Sequence, residues 1–230
     1  MAALKFRSKL LENRELSDDC IHLSFSYPEG FLFKAGQYVF IETFKDEKKR
    51  WTAYSILSPP LQKTKIDICL KVIPEGFCTP TLSKAKVGEE FDFKGPFGFF
   101  IFDEENTNKE HWFIGTGTGV APLYSMIKEY KDKLKDHKFK LFFGVKTSKD
   151  LLYHDEFLSW ENKNNNFEYV PICSREDWQG CKGHVQDHLG EELENKDFYI
   201  CGLKDMVLDA VEYLKKKGIP KERIKFERYT

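Results

Sequence analysis

The chain has 230 residues, of which 41% are hydrophobic and 32% are charged, a composition typical of a globular protein with one large or two modest domains. The 36 basic and 37 acidic residues give a formal net charge of -1, which argues against a general nucleic-acid-binding protein. No apolar run approaches the roughly 20 residues that cross a bilayer, and the N-terminal sequence lacks the apolar core of a signal peptide. We therefore expect a cytoplasmic protein without a membrane span.

The cysteines are scattered along the chain, and no two of the six form a C-x-x-C pair. This spacing gives little support for a zinc site or an iron–sulfur cluster. Without a secretory signal, reduced thiols are expected, and no metal site is predicted.

Up to about residue 100, short segments alternate between apolar and polar residues. Ile21, Leu23 and Phe25 alternate with polar side chains, and the same pattern recurs over residues 66–72. Alternation at period two between glycine-containing turns predicts an antiparallel barrel or sandwich. The predicted strands lie near residues 4–12, 20–26, 37–44, 51–57, 65–72 and 91–95.

Two segments of this first half are candidates for ligand binding. Residues 52–60 read as a strand that ends at two prolines, in which the neighbours Tyr54 and Ser55 point to opposite faces. In residues 75–82, Thr79 followed by Pro80 predicts a helix start, with the threonine as N-cap and the proline as the first helical residue. An ordinary barrel strand and a simple helix cap are the alternatives.

Beyond Trp112 the pattern changes to strands separated by helices, which predicts a parallel, doubly wound sheet. The predicted strands are 112–115, 139–145, 167–172, 198–201 and 224–227. The polar stretch 103–110 predicts a linker, so the expected domains are residues 1–102 and 110–230.

The first strand of this second half ends in a glycine-rich turn, FIGTGTGVAP, at residues 113–122. Glycines such as Gly117 and Gly119 allow the backbone to approach a ligand closely, and Pro122 suits the first turn of the helix that follows. The free N–H groups of such a turn favour an anion, typically a phosphate. The turn is neither a Walker A sequence nor G-x-G-x-x-G, so a tight structural connection is the alternative.

A later strand ends in a second turn, FYICGLKDMV, at residues 198–207. Both turns follow predicted parallel strands, and ligands bind at the C-terminal ends of such strands in open α/β sheets. Together the two turns predict a nucleotide site.

These turns resemble those of the ferredoxin–NADP reductase family of two-domain flavoprotein reductases. The family's G-T-G-x-A-P turn is matched at residues 117–122, and its C-G-x-x-x-M turn at Cys201, Gly202 and Met206. The resemblance extends from about residue 4 to Tyr229. It implies an N-terminal antiparallel six-stranded Greek-key β-barrel that binds FAD, followed by a Rossmann-like doubly wound parallel sheet that binds NADP, with NAD possible.

The resemblance also assigns the two turns. Gly117, Thr118, Gly119 and Pro122 are expected to face the pyrophosphate and nicotinamide end of NAD(P)H. Cys201, Gly202 and Met206 are expected beside the nicotinamide. Cys201 is a candidate nucleophile, but no base is evident, so packing against the nicotinamide is favoured.

In the first half, Tyr54 and Ser55 match the second half of the family's R-x-Y-S motif. The resemblance implies that Tyr54 packs on the flavin ring and that Ser55 lies near the flavin atom that accepts hydride. The family's arginine falls at Thr52, which leaves FAD against FMN open. Arg50, on the same strand face, either reaches the flavin phosphate or is an exposed surface charge.

The family's G-x-x-S/T segment is matched by Gly76, Phe77, Cys78 and Thr79. The resemblance implies that this segment cradles the flavin pyrophosphate. The turn GPFGFF, at residues 95–100, resembles the turn that closes the flavin domain.

At the C-terminus, Glu227 and Tyr229 match an acid and an aromatic of the family, and Thr230 is one residue extra. The resemblance implies that Tyr229 covers the flavin and that Glu227 positions groups or protonates reduced flavin. Glu227 thus joins Ser55 and Cys201 as a candidate catalytic residue, and a surface carboxylate is the alternative.

Nucleotide choice is expected in residues 173–185, after the third strand of the sheet. Ser174-Arg175-Glu176 resembles the S-R-E of NADP-using members, and Lys182 adds a second cation. NADPH is favoured, although some NADH-using oxygenase reductases also carry Ser-Arg here, and a plain surface charge is the alternative for Arg175.

The resemblance implies hydride transfer from NAD(P)H to FAD and single-electron transfer to a separate acceptor. Because the chain has no ferredoxin-type cysteine cluster, the acceptor is expected to be a ferredoxin, a flavodoxin, an oxygenase component or a small oxidant. Two alternatives remain open: an electron-transfer subunit that takes no electrons from NAD(P)H, and a regulatory nucleotide-binding module that has lost flavin.

Overall fold

The computed structural model describes residues 3–105 and 107–229, so Thr230 lies outside the described residues. The chain divides into two compact units. The first comprises the chain up to Phe102 together with Tyr124–Glu129, and the second comprises Asp103–Leu123 and the chain from Tyr130 onwards.

The first unit is a curled antiparallel sheet of six strands in the order β4-β3-β6-β1-β2-β5. Its elements are β1 (Leu4–Ser17), β2 (Cys20–Ser26), β3 (Tyr38–Lys45), β4 (Lys48–Ser55), β5 (Lys65–Lys71), α1 (Thr79–Ser83) and β6 (Glu90–Phe97). The last strand in sequence lies between β3 and β1, which is a Greek-key connection. An antiparallel bridge from Ile56 to Ile68 brings the two edges of the sheet together. The predicted six-stranded antiparallel architecture is confirmed.

The alternating pattern explains how this sheet curls around its core. Leu23 and Phe25 of β2 point inward and are fully buried, and the ring of Phe25 meets the ring of Phe93 edge-on at 4.9 Å. Each such side chain contributes roughly 1.5–3 kcal/mol on burial. The inward face of the sheet therefore holds the unit together.

The second unit is a six-stranded sheet in the order β10-β9-β8-β7-β11-β12, and all its strand pairs are parallel. The strands are β7 (Glu110–Thr116), β8 (Lys138–Val145), β9 (Phe167–Cys173), β10 (Cys181–Lys182), β11 (Lys196–Leu203) and β12 (Ile224–Tyr229). The helices are α2 (Val120–Tyr130), α3 (His154–Lys163) and α4 (Lys204–Lys216). The predicted parallel sheet is confirmed, and the two-residue strand β10 is an addition to it.

Chain order reverses between β7 and β11, the neighbouring strands at the centre of this sheet. Ligands of open α/β sheets bind at such a switch point, beyond the carboxyl ends of the strands. The fold therefore places both predicted nucleotide turns at the one edge of the sheet where a nucleotide is expected.

The stretch predicted as a linker is anchored within the second unit. The backbone N–H of Asp103 donates to the Tyr199 hydroxyl at 3.1 Å, and its carboxylate pairs with Lys225 at 3.1 Å. The side chain of Asn108 donates to Asp197 at 2.9 Å. None of the helices in the described ranges is long and apolar enough to cross a membrane.

Candidate functional site

The two glycine turns of the second unit lie directly against each other. A Cβ atom added to Gly119 would fall 2.5 Å from the carbonyl oxygen of Cys201 and from Cα of Gly202. Gly202 has φ +152°, and a Cβ there would overlap Thr116. The Thr116 hydroxyl accepts a hydrogen bond from the Leu203 N–H at 3.2 Å. Only glycines allow two backbones to approach so closely.

The first turn leads into its helix earlier than Pro122 suggests. Gly117–Gly119 forms a 3-10 turn, with φ +53° at Gly117, and α2 begins at Val120. Pro122 is therefore the third residue of the helix, still within its first turn, where a proline costs no hydrogen bond. Thr116, the residue before the 3-10 turn, makes no side-chain hydrogen bond that caps the turn. The leading N–H groups of a helical turn have no partner within it, so a turn of this kind can bind an anion.

Cys201 lies at the carboxyl end of β11 and is fully buried. Burial, reinforced by the negative charge of Glu227, raises the pKa of its thiol well above the ordinary value, although a hydrogen bond with Tyr229 opposes this. The thiol is therefore neutral at physiological pH and is a poor nucleophile. These contacts favour a packing role for Cys201.

Glu227 and Tyr229 lie on β12, the edge strand beside β11. In the register of the parallel pair, Glu227 is opposite Cys201 and Tyr229 is opposite Leu203. Both side chains are partly exposed. The structure thus brings the C-terminal acid and aromatic together with the Cys201-Gly202 turn.

Ser174 and Arg175 follow β9 and are held by the end of β8. The hydroxyl of Ser174 donates to the carbonyl of Val145 at 3.2 Å, and the N–H of Arg175 donates to the carbonyl of Lys146 at 2.9 Å. The Arg175 guanidinium is exposed and has no side-chain partner among the described residues. Lys182 differs, because it is paired with Asp177.

Two carboxylates that follow β8 and β9 accept hydrogen bonds from the loop after β8. Glu176 accepts hydrogen bonds from the N–H and the hydroxyl of Ser148, at 2.5 and 3.0 Å. Asp150 accepts two more from Thr147, both at 3.0 Å. Sequence reasoning missed this loop, although T-S-K-D has the spacing of a capping box. These hydrogen bonds hold both carboxylates against the loop after β8, whereas Arg175 has no ion pair among the described residues.

In the first unit, Tyr54 and Ser55 end β4 and are both buried, with 8% and 7% of their surfaces exposed. The ring of Tyr54 belongs to the core of the sheet and has little open face. Its hydroxyl is buried without a hydrogen-bond partner among the described residues, and burial raises its pKa. Flavin binding by Tyr54 therefore stays a prediction.

Thr52, at the position of the family's arginine, is occupied by a local contact. Its hydroxyl lies 2.7 Å from the sulfur of Cys78. Two residues earlier, the guanidinium carbon of Arg50 lies 4.8 Å from the ring centre of Phe77. The structure thus brings β4 together with the 76–79 segment, as predicted candidates for one ligand.

The helix start after this segment differs from the prediction. Cys78, rather than Thr79, is the N-cap of α1, so Pro80 is the second helical residue. The Thr79 hydroxyl accepts a hydrogen bond from the N–H of Ile73 at 2.9 Å and donates one to the carbonyl of Ile73 at 3.3 Å. Thr79 therefore braces the loop instead of capping the helix. Gly76 is tightly enclosed by this loop, since a Cβ there would fall 2.9 Å from the Ile73 carbonyl oxygen.

The described residues contain no cluster of three or more His, Cys, Asp or Glu side chains that could hold a metal ion.

Two family models match the chain one after the other. A model described as an oxidoreductase FAD-binding domain matches residues 7–102, and one described as an oxidoreductase NAD-binding domain matches residues 113–212. The first covers β4 and the 76–79 segment, and the second covers both glycine turns.

Curated proteins resemble this chain in sequence over almost its whole length. It is 31% identical to ferredoxin–NADP reductase B of Sorangium cellulosum, over 97% of this chain and 97% of that protein. It is 26% identical to the reductase component of propane 2-monooxygenase of Rhodococcus jostii, over 97% of this chain and 63% of that protein. The chain spans about three-fifths of the length of several further curated relatives.

Among solved structures, a ferredoxin–NADP⁺ reductase from Neisseria gonorrhoeae with bound FAD and NADP matches with a TM-score of 0.88. The identity is 21%, and the match covers 97% of this chain and 98% of that chain. This likeness shows that the two chains share a fold.

Proposed function

Because the chain belongs to the ferredoxin–NADP reductase family, we propose that it is a flavin-dependent oxidoreductase that takes hydride from NAD(P)H and delivers single electrons to a separate acceptor. The observation that carries this proposal is the backbone contact between Gly119 and the Cys201-Gly202 turn at the switch point of the parallel sheet. Turns that only connect a strand to a helix would not need to touch each other at the edge of the sheet where ligands bind.

The first unit has groups that fit FAD. The buried Tyr54 hydroxyl has no partner in the described chain, and Arg50 has no ion pair there. Gly76 forms a close backbone loop that a side chain would fill. When bound, FAD accepts a hydride and passes the two electrons on one at a time. Tyr54 and Arg50 would bind it, and the Ser55 hydroxyl, at the end of β4, would orient the reactive part of its ring.

In the second unit, the N–H groups of the Gly117–Gly119 turn would hold the pyrophosphate of the nucleotide. The small and neutral Cys201-Gly202 pair would let the nicotinamide approach the backbone. Glu227 is partly exposed, so its carboxylate can exchange protons with solvent while it positions neighbouring groups. That Tyr229 covers the flavin stays a prediction.

The side-chain contacts at the ends of β8 and β9 support NADPH over NADH. An NAD site needs a carboxylate that accepts from the ribose 2′-OH, whereas an NADP site needs a cation for the 2′-phosphate. Glu176 and Asp150 are engaged with Ser148 and Thr147, and Arg175 is exposed and unpaired within the described chain. We therefore assign the 2′-phosphate to Arg175.

The names of the relatives suggest the acceptor. One relative is a ferredoxin–NADP reductase, and another is the reductase component of an oxygenase. A ferredoxin, a flavodoxin or an oxygenase component is therefore the proposed partner. Cytoplasmic residence stays a prediction.

An anaerobic spectroscopic titration tests the function. The purified protein should show a flavin absorption band, and NADPH should bleach it faster than NADH does. Faster bleaching by NADH would preserve the enzyme and reverse the nucleotide choice. A flavin that neither nucleotide reduces would contradict the proposed reaction.

A further inference from the structure

Position 50 of β4 carries an arginine whose surroundings are those of an anion site. Arg50 is exposed, and no ion pair or hydrogen bond engages its guanidinium among the described residues. It lines a cavity of about 490 Å³ together with Lys45, Lys48, Gly76 and Phe77, and with two acids, Asp46 and Glu75. Three cations against two carboxylates leave this wall net positive.

The aromatic ring of Phe77 holds the guanidinium in place. The guanidinium carbon of Arg50 lies 4.8 Å from the ring centre of Phe77. Stacking uses the flat face of a guanidinium and leaves the N–H donors at its edge available for an anion. Because those donors form a rigid fork, they suit two oxygens of one phosphate.

The segment that carries Phe77 is itself fixed to the neighbouring strands. The ammonium of Lys45, at the end of β3, donates to the carbonyl of Gly76 at 3.4 Å. The Thr52 hydroxyl contacts the Cys78 sulfur at 2.7 Å, and Thr79 holds Ile73. The stack of Arg50 on Phe77 is therefore preorganised between two tethered segments.

Thr52 cannot supply this charge, although it occupies the position at which the family places its phosphate-binding arginine. Thr52 and Arg50 lie on the same face of β4, because residues two apart in a strand point the same way. Arg50 is therefore displaced by two residues along one face, toward the exposed end of the strand.

We propose that Arg50, stacked on Phe77, binds the diphosphate of FAD in place of an arginine at position 52. This inference rests on the proposed function, since it concerns the flavin of that same site. It makes Arg50 the residue by which this chain distinguishes FAD from flavins with fewer phosphates.

Flavin binding to the apoprotein tests the proposal without any need for turnover. Wild-type apoprotein, freed of flavin by dialysis against concentrated bromide, is titrated with riboflavin, FMN and FAD, and quenching of flavin fluorescence gives each Kd. Loss of charge-assisted hydrogen bonds should raise the Kd for FAD in Arg50→Ala by roughly 10- to 150-fold. The Kd for riboflavin should not change, and the loss for FAD should shrink in high salt.

Arg7→Ala is the matched control, since Arg7 is an exposed arginine of β1 whose partner is Glu90, at 3.4 Å. Equal FAD affinity in Arg50→Ala and Arg7→Ala would overturn the proposal. Equal losses for FAD and riboflavin in Arg50→Ala would also overturn it, because the phosphates would then play no part. If wild-type apoprotein bound no flavin at all, the proposed function itself would fail, and the two failures are thereby distinguished.

Discussion

Gly119 and Gly202 touch through their backbones, and this contact joins the two turns of the nucleotide site. A Cβ on Gly119 would fall 2.5 Å from Cα of Gly202. Gly119→Ala should therefore push the turns apart and lower the free energy of unfolding by about 1–3 kcal/mol. The Kd for NADPH, measured by nucleotide titration, should rise more than tenfold. Urea unfolding measures the change in the free energy of unfolding.

Gly190→Ala is the control for that substitution. Gly190 has φ +67° and no atom within 4 Å of an added Cβ, so alanine there adds backbone strain of about 1 kcal/mol without a clash. Nucleotide affinity should be unchanged. A Gly119→Ala protein with wild-type nucleotide affinity would show that the contact does not shape the site.

Cys201 should be chemically inert in the folded protein. Burial holds the pKa of its thiol above the ordinary value of 9.0, so iodoacetamide at pH 8 should leave it unlabelled until the chain is unfolded, as peptide mass spectrometry would show. Cys201→Ala should keep the rate of flavin reduction by NADPH within about threefold, because a packing residue, unlike a nucleophile, is not needed for bond formation. A rate loss of about a thousandfold would make Cys201 catalytic.

The raised pKa of the Cys201 thiol predicts that the protein loses stability as pH rises above 9. Above pH 9 the unfolded chain loses the Cys201 proton while the folded chain keeps it, so the folded state binds more protons and stability falls as pH rises. Cys201→Ala should lose less stability than wild type between pH 8 and pH 10, both referred to their values at pH 7, in urea unfolding. Parallel losses in the two proteins would contradict this contribution.

Sequence reasoning reached the strands because alternation and apolar runs are local signals, as in residues 20–26. It misplaced the start of α1, since threonine before proline suits both an N-cap and a first helical residue, and the choice is made by Ile73, which binds the Thr79 hydroxyl. The burial of Cys201 and the engagement of Glu176 by Ser148 depend on residues distant in sequence. Local sequence patterns therefore do not predict this burial or this contact.

Asp67 joins a buried polar network on β2 and β5 and should control acid stability. Burial acts to raise its pKa, but hydrogen bonds from His22 and Ser24 and the charge of Lys65 hold it below the ordinary value. The folded carboxylate thus stabilises the protein at pH values above the unfolded pKa, and this stabilisation is lost as pH falls through the lowered folded pKa.

Asp67→Asn should lower the free energy of unfolding at pH 7 by about 2 kcal/mol or more, because buried partners lose a charged acceptor. The difference from wild type should narrow as pH falls from 6 to 3 in urea unfolding. Glu90→Gln is the control, since its ion pair with Arg7 is exposed and contributes less than about 1 kcal/mol. A difference that stays constant with pH would exclude the carboxylate charge as the cause.

Arg175 should determine the choice between NADPH and NADH. Arg175→Ala removes an exposed, unpaired guanidinium at the end of β9, and loss of its hydrogen bonds to a 2′-phosphate should lower kcat/KM for NADPH by roughly 10- to 150-fold. The value for NADH, which lacks that phosphate, should change less than about threefold. The measurement is steady-state reduction of ferricyanide with each nucleotide.

Lys182→Ala separates a specific contact from general positive charge. Lys182 is paired with Asp177, so its removal should alter the preference for NADPH by less than about threefold, since a neutralised cation adds little to the field at the ribose. If Lys182→Ala and Arg175→Ala lowered kcat/KM for NADPH equally, the preference would come from net charge. If Arg175→Ala lowered kcat/KM equally for NADPH and NADH, Arg175 would bind a group that the two nucleotides share. The 2′-phosphate would then be recognised elsewhere.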